Sequence, residues 1–133
     1  MKTLIYTAII LVVFSAGACK KSNPRPSDSL IGKWRWVKSV GGIGGVTLTP
    51  QSTGKNFRDE FYADSTYKRF ENDSLLIQTN FSLVKGYQYT PTQKIDKLKI
   101  GNWNSSIVIR NDTLYIDDLF ISDGFVDTYV RMR

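Results

Sequence analysis

From Leu30 onward large apolar residues of this sequence alternate with polar ones, in runs such as "KWRW" and "KLKI". A period of two belongs to strands with one buried face, and no stretch sustains helical spacing for three turns. Small and polar clusters ("GGIGG", "ADS", "END", "KG", "GNWN", "ND", "SDG") interrupt the pattern at short intervals. The spacing predicts strands over 32–40, 56–62, 66–71, 75–84, 87–90 with a continuation over 94–100, 106–110, 113–117 and 125–132. Short connections make sequence neighbours pair, and closing the sheet on itself removes its exposed edges. The expected fold is all-β, an up-and-down antiparallel β-barrel of about eight strands.

The large side chains suit a filled interior. Trp34 and Trp36 share one face of the first strand, Phe57 and Phe61 one face of the second, and Phe125 and Tyr129 one face of the last. Trp36, Phe61, Tyr67 and Tyr129 then either line a ligand cavity or fill a small core, since barrels of this size can be solid or hold one small ligand.

Several chemistries lose their residues. The chain has no histidine and one cysteine, Cys19. Ser-His-Asp triads, Cys-His pairs and zinc sites therefore cannot be assembled, and no catalytic residue, metal or cofactor is expected. Asp59 and Glu60 are adjacent on a strand, so they point to opposite faces and cannot act on one bond. Asp117, Asp118, Asp123 and Asp127 lack calcium-loop spacing, and Asp123-Gly124 reads as a hairpin turn. "KIDKLKI" alternates solvent-facing charge with Ile95, Leu98 and Ile100. "GGIGG" has neither the Lys-Ser/Thr ending nor the following helix of a phosphate loop. It reads as a flexible crossing over one end of the barrel, in the position of a lid.

The first residues carry an address. Met1 to Thr3 form a charged start, Leu4 to Phe14 run without charge, and Ser15 to Ala18 are small. That order is a secretory signal, and fifteen residues from Leu4 to Ala18 fall short of the ~20 needed to span a bilayer. "AGAC" resembles the lipobox of bacterial lipoproteins, with Ala16 in place of the usual leucine. The resemblance implies residues 1–18 as a lipoprotein signal peptide and Cys19 as the site of lipid attachment. The other reading, a lone reactive thiol at the tip of an exported protein, is chemically awkward. Residues 19–29 read as a flexible tether with two prolines and three serines. Residues 30–133 then form the one domain.

Losing Lys2 with the leader leaves 17 basic and 12 acidic residues, so the net charge falls from +6 to +5. The charges are scattered, which fits solubility and an anionic envelope; no nucleic-acid partner is expected. The membrane is met through the N-terminal lipid, at the cell envelope, with the outer membrane as the expected address on its periplasmic or surface side.

"IGKWRWV" places Gly32 two residues before Trp34 at the start of the first strand, and the chain ends "DTYVRMR". "FYADSTYKRF" adds a hairpin with Asp64 and Ser65 at its turn. Together these resemble the lipocalins and the small lipocalin-like lipoproteins, over roughly Leu30 to Arg133. In that family the tryptophan closes one barrel end beneath a terminal arginine. The resemblance implies barrel closure by Gly32, Trp34 and Arg131, with Arg133 as substitute. It also implies a non-enzymatic protein binding a small apolar or amphipathic molecule near Trp36, Phe61, Tyr67 and Tyr129. The alternative is a solid barrel whose outer surface docks a protein partner in the envelope. Typical lipocalins are longer, carry a helix after the barrel and contain disulfides.

Overall fold

The computed structural model describes residues 29–133. The expected signal peptide, Cys19 and the tether up to residue 28 lie outside the described residues.

Among the described residues nine strands form, in the order β1 (Gly32–Gly41), β2 (Val46–Leu48), β3 (Phe57–Phe61), β4 (Thr66–Glu71), β5 (Ser74–Thr90), β6 (Gln93–Ile100), β7 (Trp103–Arg110), β8 (Thr113–Asp117) and β9 (Phe125–Arg131). A single turn of helix, α1 (Pro50–Thr53), sits between β2 and β3. From β3 to β9 each strand pairs antiparallel with the next, and β9 returns to pair with β1. The result is a closed eight-stranded antiparallel barrel. β2 is an addition at the rim: β3 pairs with β1 over residues 32–35, and β2 takes the same edge over 39–41.

Antiparallel alternation fixes which connections share an end. The start of β1 and the end of β9 lie with the connections around residues 63–65, 91–92 and 111–112. The connections 42–56, 72–73, 101–102 and 118–124 gather at the opposite end, the mouth.

Local chemistry sets these corners. Asn72 and Asp73 both take positive φ (48° and 66°), the twist that a two-residue hairpin between right-twisted strands requires. Phe61 pairs with Tyr67, so Asp64 and Ser65 turn the chain as expected, and Asp64 Oδ1 accepts the Thr66 N–H at 3.0 Å. Thr49 caps α1 through a reciprocal bond with Ser52, and Pro50 fills the first turn, where no N–H is needed.

Four local expectations are corrected. "KG" does not break the chain: β5 runs seventeen residues through it. Val84 pairs with Lys97 and Tyr87 with Ile95, so Lys85 and Gly86 together oppose Asp96. This is a bulge, and Gly86 supplies the positive φ (63°) that absorbs the extra residue. The hairpin falls instead at Pro91-Thr92, where proline has no ladder bond to lose. "GGIGG" does not cross the barrel end. It closes the β1–β2 hairpin, with the Gly45 N–H donating to the Gly42 carbonyl at 3.2 Å. β7 begins at Trp103 rather than at Ser106, because Trp103 already pairs with Ile100. Finally, Asp123 lies in a turn with φ 60°, but within a seven-residue connection rather than a tight Asp-Gly hairpin.

Every second residue enters the interior. Trp34, Phe61, Tyr67, Leu98, Leu114 and Tyr129 are at most 2 % exposed. The Phe61 ring lies 5.1 Å from those of both Tyr67 and Phe81, and Trp36 meets Phe57 edge-on at 5.4 Å. Burying one such ring contributes ~1.5–3 kcal/mol, so these rings dominate the packed interior.

Candidate functional site

The strand alternation that buries Trp34 also aims other side chains into the mouth. Asp59 pairs with both Trp34 and Arg69, so Arg69 on β4 is an inward position, as is Tyr67 two residues earlier. Ile77 and Thr79 on β5 face the same space, with Ile100 from β6 and Ile116 from β8. Together they bound a cavity of about 370 Å³ whose rim includes Trp103 and the β6–β7 turn. Ser105, Asp118 and Asp127 complete its polar wall.

The floor is an ion pair. Asp59 is completely buried (0 %), and its two oxygens accept from Arg69 Nε and Nη2, each at 2.8 Å. Arg69 Nη2 also donates to the Tyr129 hydroxyl at 2.9 Å. Burial opposes the Arg69 charge, but the hydrogen bonds and charge of Asp59 outweigh it and hold the guanidinium more firmly protonated than usual. Burial pushes the Tyr67 hydroxyl well above its ordinary range, and the charge of Asp59 adds to the effect. Tyr129 is raised for the same two reasons. Both phenols are therefore locked neutral beneath the cavity.

The acids on the wall are in a different state. Ser105 Oγ donates to Asp118 Oδ1 at 3.1 Å, and among the described residues neither Asp118 nor Asp127 forms an ion pair. Burial raises the Asp127 pKa; a hydrogen bond with Ser39 and the charge of Arg69 work against this, and Asp118 and Asp59 reinforce it. Trp103 stands at the rim with 77 % of its surface in solvent.

At the other end, Arg131 stacks on Trp34 with its guanidinium carbon 4.1 Å from the ring centroid. It also donates to the carbonyls of Ile31 (3.1 Å) and Ser29 (2.6 Å), and the Trp34 indole N–H donates to the Leu30 carbonyl at 2.8 Å. Gly32 leaves room for this arginine: a Cβ there would lie 2.9 Å from Arg131 Nη1. Arg133 instead reaches Asp112 on the surface. A second hollow of about 490 Å³ lies at this end, between residues 29–31 and Phe81, Leu83, Ile107 and Ile109. Its wall starts at Ser29, the first described residue, and carries Ser65, Lys85 and Asp96 beside the apolar side chains.

Of the four residues expected near a ligand, Tyr67 alone lines the mouth cavity. Trp36 is buried against Phe57 with its N–H on Ser39 Oγ, Phe61 sits within the aromatic cluster, and Tyr129 lies under Arg69. Asp59 and Glu60 do point to opposite faces: Glu60 is held outside by Lys33, Arg58 and Tyr62. Among the described residues, no three histidine, cysteine or acidic side chains are placed to hold a metal ion.

Sequence reasoning overlooked Arg69, Thr79 and Ser105, although a signal for Arg69 was present. Once the turn at Asp64 and Ser65 sets Phe61 opposite Tyr67, antiparallel register puts Asp59 opposite Arg69.

Comparison of the sequence with models of known protein families and with curated protein sequences finds no match.

Proposed function

We propose that this protein is a lipocalin-like lipoprotein, tethered to the cell envelope through Cys19, whose barrel takes a small amphipathic molecule into its mouth. The observation that carries the reading is the cavity of about 370 Å³ that opens at the mouth of a closed barrel, above the buried Asp59–Arg69 pair. That volume lies at the lower end of the ~300–1,000 Å³ typical of small-molecule sites. Isoleucines from three strands supply apolar wall, while Arg69, Ser105, Asp118 and Asp127 supply orienting polar groups. Each ~100 Å² of apolar ligand surface transferred there contributes ~2.5 kcal/mol.

Native mass spectrometry of the protein purified from its cells tests this. A retained small molecule is expected, and it is lost in an Ile116→Trp variant that fills the cavity while keeping the strand signature in circular dichroism. Repeatedly empty spectra, also after incubation with lipid extract, refute the ligand reading. The intact mass reads the anchor separately: acyl chains on Cys19 support it, and a free thiol there removes it.

A further inference from the structure

The charges on the cavity wall are unequal. Of the residues that line it, Arg69 is the cation and Asp118 and Asp127 are the anions. The charge of Arg69 is already engaged by the buried Asp59 through two 2.8 Å bonds, so the floor is close to neutral. The carboxylates of Asp118 and Asp127 have no such partner among the described residues; a serine hydroxyl is what Asp118 receives. Ile77 and Ile100 line the same cavity from β5 and β6, and Ile116 lies beside the acids as the cross-strand partner of Asp127.

We propose that the mouth cavity selects amphiphiles with a cationic head, an amine or quaternary ammonium group, seated between Asp118 and Asp127 with its apolar body on the isoleucines. The proposal rests on the reading of the cavity as a ligand site and names the chemistry of what enters it. An anionic head would meet two uncompensated carboxylates and an arginine already in use. A metal ion would find two acidic ligands where hard cations take about six or more oxygens. An ammonium group, by contrast, is satisfied by two carboxylates and a hydroxyl, and it gains from an aromatic face. Trp103 provides that face: it is the first residue of β7, lines the cavity and stays 77 % exposed, which packing alone does not explain. Burial is the main cause of the raised Asp127 pKa, with Asp118 and Asp59 adding to it. Asp118, Arg69 and Asp59 are the charged groups that bear on Asp127, and Ser39 hydrogen-bonds it. A bound cation would lower that pKa, so affinity is full above the unliganded value and falls as the pH drops through it.

The test uses purified Cys19→Ser protein, which has no attachment point for acyl chains. Three probes of equal chain length are compared below their micelle concentrations: octyltrimethylammonium, octanol and octanoate. Binding is followed by Trp103 fluorescence, with Trp103→Ala as the signal control, and by calorimetry. The cation is expected to bind at least about tenfold more tightly than the alcohol, with octanoate weakest. In Asp118→Asn/Asp127→Asn the preference and its pH dependence should vanish while octanol binding remains. Octanoate binding as tightly as the cation overturns the charge assignment and leaves the cavity reading standing. Preference for the cation that survives in the double variant also overturns it, since the charge would then be read elsewhere. If none of the three binds, the cavity reading itself fails. The comparison on the unaltered carboxylates decides the question even if the double variant does not fold.

Discussion

Replacing Asp59 by asparagine keeps the shape of the side chain and removes its charge. The carboxylate is inaccessible to water, and it balances a guanidinium whose side chain is 25 % exposed. In Asp59→Asn one of the two 2.8 Å bonds loses its acceptor to an amide nitrogen, and the Arg69 charge is left without its counterion. Breaking a buried pair from one side costs ~3–5 kcal/mol. Because Arg69 reaches the cavity and can recruit water there, the loss should fall near ~3 kcal/mol. For a domain of this size that lowers Tm by about 12–20 °C. Urea unfolding followed by tryptophan fluorescence measures it, since Trp34 and Trp36 are buried. Asp59→Leu combined with Arg69→Met should recover most of the loss, because the apolar pair leaves no buried charge. Loss below ~1 kcal/mol in the single variant, or a double variant no better than the sum of its singles, would refute the reasoning.

Three further outcomes follow from the same geometry. Tyr67 and Tyr129 have folded pKa values raised above the unfolded value of ~10, so the stability they contribute is intact below about pH 10 and declines as the pH rises beyond it; ultraviolet titration should show both phenols ionising only as the barrel unfolds. Arg131→Ala should cost ~1–3 kcal/mol, from the stacking on Trp34 and the carbonyls of Ser29 and Ile31, with a red shift in tryptophan emission, whereas Arg133→Ala should cost under ~0.5 kcal/mol. Gly86→Ala should destabilise by ~1 kcal/mol through its positive φ, although a Cβ there would touch nothing, and amide exchange should rise in the β5–β6 hairpin.

The barrel was legible because a period of two leaves a chain few ways to bury one face, and because the turn at Asp64 and Ser65 carries its register in the sequence. That Trp34 and Arg131 share one end was an expectation from the resemblance to lipocalins rather than from periodicity, and the pairing of Trp34 with Arg131 across β1 and β9 puts them there. What stayed hidden depended on register across several strands. Lys85-Gly86 looks the same locally whether it forms a turn or a bulge; the pairing of Val84 with Lys97 and Tyr87 with Ile95 decides it. The aromatic residues were equally ambiguous. Phe61 and Tyr67 are cross-strand partners on the same face, yet Phe61 is enclosed by rings while Tyr67 reaches the cavity. Their further neighbours separate them, Phe81 against Phe61 and the cavity residue Thr79 beside Tyr67, and alternation reports the face but never those neighbours.

Hollow and solid were false alternatives for this interior. Trp34 and Phe61 are packed solid, whereas the isoleucines of the mouth leave about 370 Å³ open and a second hollow of about 490 Å³ lies at the opposite end. The Asp59–Arg69 pair lies at the boundary, its acid wholly dry and its base partly wet. Stability gives little reason for the pair, since well-packed apolar residues in such positions are often equal to it or better by about 1–4 kcal/mol. An apolar floor would, however, let neighbouring side chains close over the space without penalty. A guanidinium fixed by two bonds to Asp59 and a third to Tyr129 cannot collapse into the cavity without giving them up. The bonds that make the floor costly to build are therefore the same ones that keep the space above it open.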